Sequence, residues 1–258
     1  MSSKINWLVN HTTPGSLVLQ QWLTENGIQY SLAQRYTKSG WLKKLSSGVY
    51  YRPEPSGKVK PGWPEALQAL TQQLQLPVHL AGLSSLTHQG LSHYLQLTSE
   101  KVWVGVRNKQ TLPKWFRGFS GQPWLYSGNH KLSELTEKDF TFMSVNGKRL
   151  KASRPELAAY EVVDNIGKTM RFEHAAELFQ GLVNLSPRKV QSLLNRSSAV
   201  QTNRIFLFLS HYCGHQWAER LDESQIQLGS GKRQVVTNGR YDERYQITIP
   251  QSLINPEL

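Results

Sequence analysis

The 258-residue sequence predicts an α+β protein in which a small basic N-terminal unit precedes a larger mixed α/β domain. Three observations predict it. Residues 31–53, SLAQRYTKSGWLKKLSSGVYYRP, pass from a helical pattern into two short strand-like runs. Residues 101–145 hold alternating segments, KVWVGV first among them. From Ser153 the pattern turns helical, and β character returns only in the terminal LGSGKRQVVTNGRYDERYQITIP.

The elements follow in order. Ile5, Trp7 and Leu8 suggest a short first helix. Thr13-Pro14 reads as a helix start, with Thr as N-cap and Pro in the first turn. Val18, Leu19, Trp22 and Leu23 would line its apolar face, Gly27 would end it, and Ile28 would be the next core residue. Ser31 can cap the following helix. Leu32 and Tyr36 share its inner face, and Gln34, Arg35 and Lys38 its outer one, before Gly40 stops it. Trp41 to Leu45 and Val49 to Arg52 read as strands joined through Ser46-Ser47-Gly48. Helix, turn, helix, hairpin is the order of a winged helix-turn-helix.

Residues 53–64, PEPSGKVKPGWP, read as a connector. Pro64 opens a helix lined by Leu67, Leu70 and Leu74 and closed by Pro77, and a shorter one is expected over Leu83 to Gly90. Trp124 to Tyr126 and Phe140 to Val145 are further strands, the last turning through Asn146-Gly147. Ser153 and Glu156 have capping-box spacing. Phe172, Ala175, Ala176, Phe179, Leu182 and Val183 form a helical stripe, and Ser186-Pro187 starts another helix. IFLFL at 205–209 is apolar all round, as in a buried helix. No internal repeat occurs. The expected domains are 1–95, with a core at 1–55, and 96–258.

The 30 Lys+Arg against 18 Asp+Glu set a net charge of +12, which favours an anionic partner such as nucleic acid. Half of that excess lies in residues 1–62, where eight basic residues meet only Glu25 and Glu54. Cys213 is the single cysteine, so no intrachain disulfide forms, as expected of a reducing cytoplasm. No N-terminal apolar core of a signal peptide is seen, and no run nears the ~18 apolar residues of a membrane span. A cytoplasmic protein without membrane contact is expected.

A helix-turn-helix sets its second helix in the major groove, which requires one face buried and the other carrying long polar donors. Arg pairs well with guanine and Gln with adenine. A basic hairpin beside that helix would lie on phosphates, where a carboxylate would be repelled. The candidate DNA-contacting residues are therefore Ser31, Gln34, Arg35, Lys38, Lys43, Lys44, Ser47, Tyr50 and Arg52. Tyr50 and Tyr51 alternate, so one faces inward and the other is available for a sugar or phosphate.

Near the C-terminus, Lys232, Arg233, Arg240 and Arg244 accompany Tyr241 and Tyr245, with a turn expected at Asn238-Gly239. This is either a second partner-binding surface or a solvated hairpin that closes the domain. Asp242 and Glu243 dilute its charge.

Enzyme signals are weak. Gly229-Ser230-Gly231-Lys232-Arg233 fails as a phosphate loop, because Ile226 stands where the first Gly belongs and Arg233 follows the Lys. His211 and His215 have a metal-binding spacing, but Gly214 interrupts it and no third ligand lies nearby. His88, His93 and Cys213 read as packing residues, and Glu156, Glu161 and Asp164 as capping and surface residues. No catalytic residue, metal or cofactor is expected.

GIQYSLAQRYTKSGWLKKLSSGVYYRP resembles the start of the AbiEi antitoxins of bacterial type IV toxin–antitoxin systems. The terminal LGSGKRQVVTNGRYDERYQITIP resembles the end of the same family, and LKASRPELAAYEVV at 150–163 fits its strand-to-helix junction. The resemblance implies a non-enzymatic repressor that binds inverted repeats in its own operon, two copies per site. It also implies a C-terminal domain that counteracts a nucleotidyltransferase toxin of the AbiEii type. A second reading keeps DNA binding secondary and has the larger domain sequester the toxin directly. An enzyme that reverses the toxin's modification has no sequence support, and an RNA-binding reading rests on charge alone.

Overall fold

A computed structural model describes residues 4–54, 59–92, 101–107 and 110–253. The fold is α+β, and it divides into two compact units that interleave along the chain. The first takes Met1–His79, Gln110–Trp124 and Met143–Leu150; the second takes Leu80–Lys109, Leu125–Phe142 and Lys151–Leu258. The boundary expected at residues 95 and 96 falls outside the described residues, as do residues 55–58 of the expected connector.

The first unit opens with α1 (Lys4–His11), β1 (Leu17–Leu19), α2 (Gln20–Glu25), α3 (Tyr30–Lys38), β2 (Lys43–Ser46), β3 (Val49–Tyr51) and α4 (Trp63–Gln72). The short first helix forms as its apolar spacing indicates, with Leu8 buried. The helix expected from Thr13 does not begin there. Pro14-Gly15 is a turn with Gly15 at φ +83°, and the Thr13 and Ser16 hydroxyls meet at 2.8 Å. Leu17, Val18 and Leu19 are all buried and pair antiparallel with β3, Leu17 opposite Tyr51 and Leu19 opposite Val49. Burial on both faces favours a strand here over an amphipathic helix. The sheet order is β1-β3-β2, which leaves β1 at an edge. The Gln73 side chain covers that edge: its Oε1 accepts the Leu19 N–H at 2.9 Å and its Nε2 donates to the Leu17 carbonyl at 2.7 Å. A primary amide thus stands in for a neighbouring strand.

Gly27, at φ +77°, ends α2, and Ile28 is fully buried. Ser31 does not cap α3; Gln29 holds the N-cap position without a side-chain bond, and Ser31 lies in the first turn. Leu32 and Tyr36 pack against the small core formed by Leu8, Val18, Leu23, Ile28, Ala33, Leu42 and Tyr50.

The remaining elements are β4 (Val78–Leu80), α5 (Gly82–His88), β5 (Val102–Val106), α6 (Lys114–Arg117), β6 (Trp124–Ser127), β7 (Phe140–Val145), β8 (Lys148–Ser153), α7 (Pro155–Asp164), α8 (Phe172–Gln180), α9 (Pro187–Asn195), α10 (Val200–Tyr212), β9 (Arg240–Asp242) and β10 (Ile247–Ile249). A five-stranded sheet runs β6-β5-β4-β8-β7, with Leu80 opposite Ala152 in the parallel pair β4–β8. Asn146 and Gly147 both take positive φ in the turn between β7 and β8, as a tight hairpin requires.

The second unit packs α5, α7, α8, α9 and α10 around one large core. Residues 205–209 of α10 are buried on every side, in line with their pattern. Val183 leaves the expected stripe and is exposed, because α8 already ends at Gln180. The Ser153–Glu156 capping box is absent. Arg154 is the N-cap of α7, Glu156 Oε1 accepts the Ser186 N–H at 3.1 Å, and Ser153 Oγ donates to Glu161 Oε2 at 2.8 Å. Glu161 is fully buried rather than on the surface, and it also accepts the Gly82 N–H at 2.7 Å and the Asn129 amide at 2.6 Å. A buried carboxylate satisfied in this way ties α7 to the start of α5. Asp164 accepts from the Thr202 hydroxyl at 2.8 Å.

Candidate nucleic-acid interface

Two elements of the first unit carry the expected residues. On α3, Ala33 is buried, while Ser31, Arg35 and Lys38 are exposed. On the hairpin, Lys43, Lys44 and Ser47 are exposed, and the chain turns at Ser47-Gly48 with Gly48 at φ +69°. The β2–β3 pairing places Lys43 opposite Tyr51 and Lys44 opposite Tyr50, then slips before Ser46 meets Val49. The slip bulges the strand at Leu45.

Three expected contact residues are placed differently. Tyr50 is fully buried, and its hydroxyl donates to Gln20 Oε1 at 3.3 Å. Burial pushes its phenol pKa up, against an opposing hydrogen bond from Gln34. Gln34 is half-buried and donates from Nε2 to the Tyr50 hydroxyl at 3.0 Å. Arg52 is half-buried and donates to the Val9 carbonyl at 2.9 Å and to the Thr12 carbonyl, so it closes the C-terminal end of α1. Alternation along β3 does not decide between Tyr50 and Tyr51, because β3 is the central strand and both tyrosines are buried.

What stays on the surface is a cationic set. Among the described residues no ion pair engages Arg35, Lys38, Lys43 or Lys44. The same stretch exposes three large apolar side chains that a charge-based reading does not single out: Tyr30 at 58%, Trp41 at 46% and Leu45 at 40%.

In the second unit, Lys232, Arg233, Arg240 and Arg244 are all exposed. The Lys232 ammonium lies 4.8 Å from the Tyr241 ring centre, and Arg244 pairs with Glu223 at 2.8 Å. β9 and β10 form a two-stranded ribbon with Asp242 opposite Ile247, so the connection is made by residues 243–246. Asn238-Gly239 lies ahead of β9 instead of forming that turn. The buried Arg204 guanidinium of α10 donates to the carbonyls of Leu228 at 2.7 Å and Gly231 at 2.6 Å, which fastens the segment leading to the ribbon.

Family models decide the affiliation. Residues 1–97 match the N-terminal domain of the AbiEi antitoxin transcriptional regulators, and residues 99–250 match the AbiEi antitoxin transcriptional regulators of type IV toxin–antitoxin systems. The chain belongs to the AbiEi antitoxin family. It is thus a transcriptional-regulator antitoxin by family, with an N-terminal regulator domain. Among solved structures, this AbiEi chain is similar in fold to the RV2827C protein from Mycobacterium tuberculosis, with a TM-score of 0.62 at 14% identity over 94% of this chain and 88% of that one. No curated protein sequence matches it significantly.

His211 lies between Glu219 at 3.1 Å and Glu223 at 3.2 Å, and the buried His215 ring meets the Phe179 carbonyl at 2.6 Å. Among the described residues no group of three or more His, Cys, Asp or Glu side chains could hold a metal, and no helix is long and apolar enough to cross a membrane. Burial pushes the Cys213 thiol up to about 11. His88 ends α5, and burial lowers its pKa; His93 lies outside the described residues.

Proposed function

We propose that this antitoxin represses its own operon by binding an inverted repeat as two copies, each reading one half-site with α3 and gripping phosphates with the β2–β3 hairpin. It acts in the cytoplasm, without catalysis, and its C-terminal domain counteracts a nucleotidyltransferase toxin. The observation that carries the DNA reading is the set Arg35, Lys38, Lys43 and Lys44, exposed on adjoining elements with no ion pair among the described residues. Unpaired cations on a helix and a neighbouring ribbon fit phosphate and base-edge contacts. Ser31 and Ser47 sit among them as hydroxyl donors. Gln34, Tyr50 and Arg52 take a supporting part, holding the scaffold in place. The exposed Lys232, Arg233 and Arg240 remain available to a partner of the second unit, whereas Arg244 is engaged with Glu223.

A gel shift with the DNA upstream of its own gene tests the proposal. Preference for that DNA over random sequence, lost on Arg35→Ala with Lys38→Ala, is expected. Equal binding to both sequences would defeat it.

A further inference from the structure

A second cationic stretch lies far from the winged helix in sequence. Between Glu177 and Glu219 the chain has no acidic residue, yet it carries Arg188, Lys189, Arg196 and Arg204. Arg204 is buried and spent on backbone carbonyls. The other three lie on or beside α9. On that helix Arg188, Gln191, Ser192 and Asn195 are spaced i, i+3, i+4 and i+7, so they share one face. The opposite face, Val190, Leu193 and Leu194, is buried in the core.

That polar face borders an open cleft of about 790 Å³, whose far side includes Arg220 and Asp222. The walls are fastened together. Gln191 Oε1 accepts the Asp222 N–H at 2.8 Å, Gln191 Nε2 donates to the Asp222 carbonyl at 3.1 Å, and Asn195 donates to Gln225 Oε1 at 3.2 Å. The charges are unequal: three guanidiniums, Arg188, Arg196 and Arg220, line the cleft with the single carboxylate of Asp222. Asp222 is occupied locally, accepting from the Ser224 hydroxyl at 2.5 Å and the Gln225 amide at 2.7 Å. Asp139 holds Arg196 at 2.7 Å. Arg188 and Arg220 are exposed, and no ion pair engages either among the described residues.

We propose that the α9 cleft is a second nucleic-acid contact, at which Arg188 and Arg220, with the Ser192 hydroxyl lining the same cleft, hold the phosphodiester backbone of a strand. Guanidiniums and a hydroxyl on a rigid wall give backbone contacts without base reading. The contact belongs to the second unit, and it is inferred from that unit alone, whether or not the winged helix binds an operator. Its chemistry suits DNA or RNA, because both present the same phosphodiester.

The test uses the full chain with Arg35, Lys38, Lys43 and Lys44 changed to Ala, so that the first surface is silent. Fluorescence anisotropy then follows a 20-nucleotide oligo-U and a 20-base-pair random duplex at 50 mM salt. Residual binding is expected, and Arg188→Glu with Arg220→Glu should weaken it at least about tenfold and flatten its salt dependence by one to two contacts. Lys101→Glu with Lys131→Glu, which makes the same charge change elsewhere, should weaken it far less. Arg188→Gln with Arg220→Gln should give an intermediate loss with an unchanged melting temperature. Which probe binds more tightly identifies the strand. Absence of residual binding, or equal losses from the cleft pair and the control pair, would overturn the proposal.

Discussion

The Gln34 amide and the Tyr50 hydroxyl meet at 3.0 Å inside the winged helix, and the same hydroxyl reaches Gln20 on α2. Tyr50 stands opposite Lys44 in the hairpin, and Gln34 directly precedes Arg35 on α3. One buried phenol thereby fixes the spacing between the two proposed groups of DNA-contacting cations. Tyr50→Phe should keep the fold, cost about 1 kcal/mol in urea unfolding, and reduce preference for the upstream DNA. Gln34→Ala should have a similar effect, and the two changes together should cost less than their sum. Full additivity would mean that Gln34 works independently of Tyr50, as a base-reading residue would.

The two cationic elements should respond differently. Arg35→Ala or Lys38→Ala should cost about 1–3 kcal/mol on the preferred sequence and relax specificity there. Lys43→Ala or Lys44→Ala should weaken binding to all sequences alike and lower the salt slope by about 1. Competition titrations against random DNA separate the two outcomes.

Arg52 should act on stability rather than on DNA. Arg52→Ala leaves the Val9 and Thr12 carbonyls without their donor at the end of α1. A loss of about 1–3 kcal/mol is expected from unmade charged hydrogen bonds, read by thermal melting. A variant with unchanged melting but weakened DNA binding would restore Arg52 to the contact set.

The second unit has a pH-sensitive tie. Burial alone would raise the Asp139 carboxyl, but hydrogen bonds from Arg196 and Thr136 outweigh it and hold the group below the usual carboxylate range. Arg196 binds both carboxylate oxygens, at 2.7 and 3.1 Å. A carboxyl depressed in the folded state contributes its stability above the unfolded pKa and loses it as pH falls toward the folded one. Asp139→Asn should therefore be less stable than the parent at pH 7, with the gap closing below about pH 4. A gap that stays constant across that range would contradict the tie.

Cys213 gives a chemical readout of packing. With its pKa pushed up to about 11, little thiolate exists at pH 8. Aromatic disulfide reagents should label it slowly in the native state and rapidly in urea. Rapid native labelling would show that the α10 end opens.

Local patterns carried much of this fold. Spacing alone located α1, α3 and the buried α10, whose apolar residues recur at helical intervals, and it located the hairpin strands even though β2 is exposed throughout and only β3 is buried. The two largest errors come from partners distant in sequence. Thr13-Pro14 has helix-start chemistry, but pairing with β3 draws Leu17–Leu19 into a strand. Glu161 is identical in sequence to a surface glutamate, and it is donors such as Gly82 and Asn129, far away along the chain, that make it a buried anchor. Within the candidate interface, composition indicated Arg35, Lys38, Lys43 and Lys44. It gave no sign that Gln34 and Arg52 face fixed partners, since both are long polar donors of the kind DNA recognition also uses. The α9 face had a legible signal, an acid-free run with polar side chains at helical spacing, obscured by the apolar residues between them.

The most direct measurement is the salt dependence of binding to the upstream DNA, by anisotropy from 50 to 200 mM salt, for the parent chain and for the variant with Arg35, Lys38, Lys43 and Lys44 all changed to Ala. The parent should lose affinity steeply, and the variant's slope should be shallower by about 3–4. Identical slopes for the two proteins would mean that these four side chains do not touch the duplex.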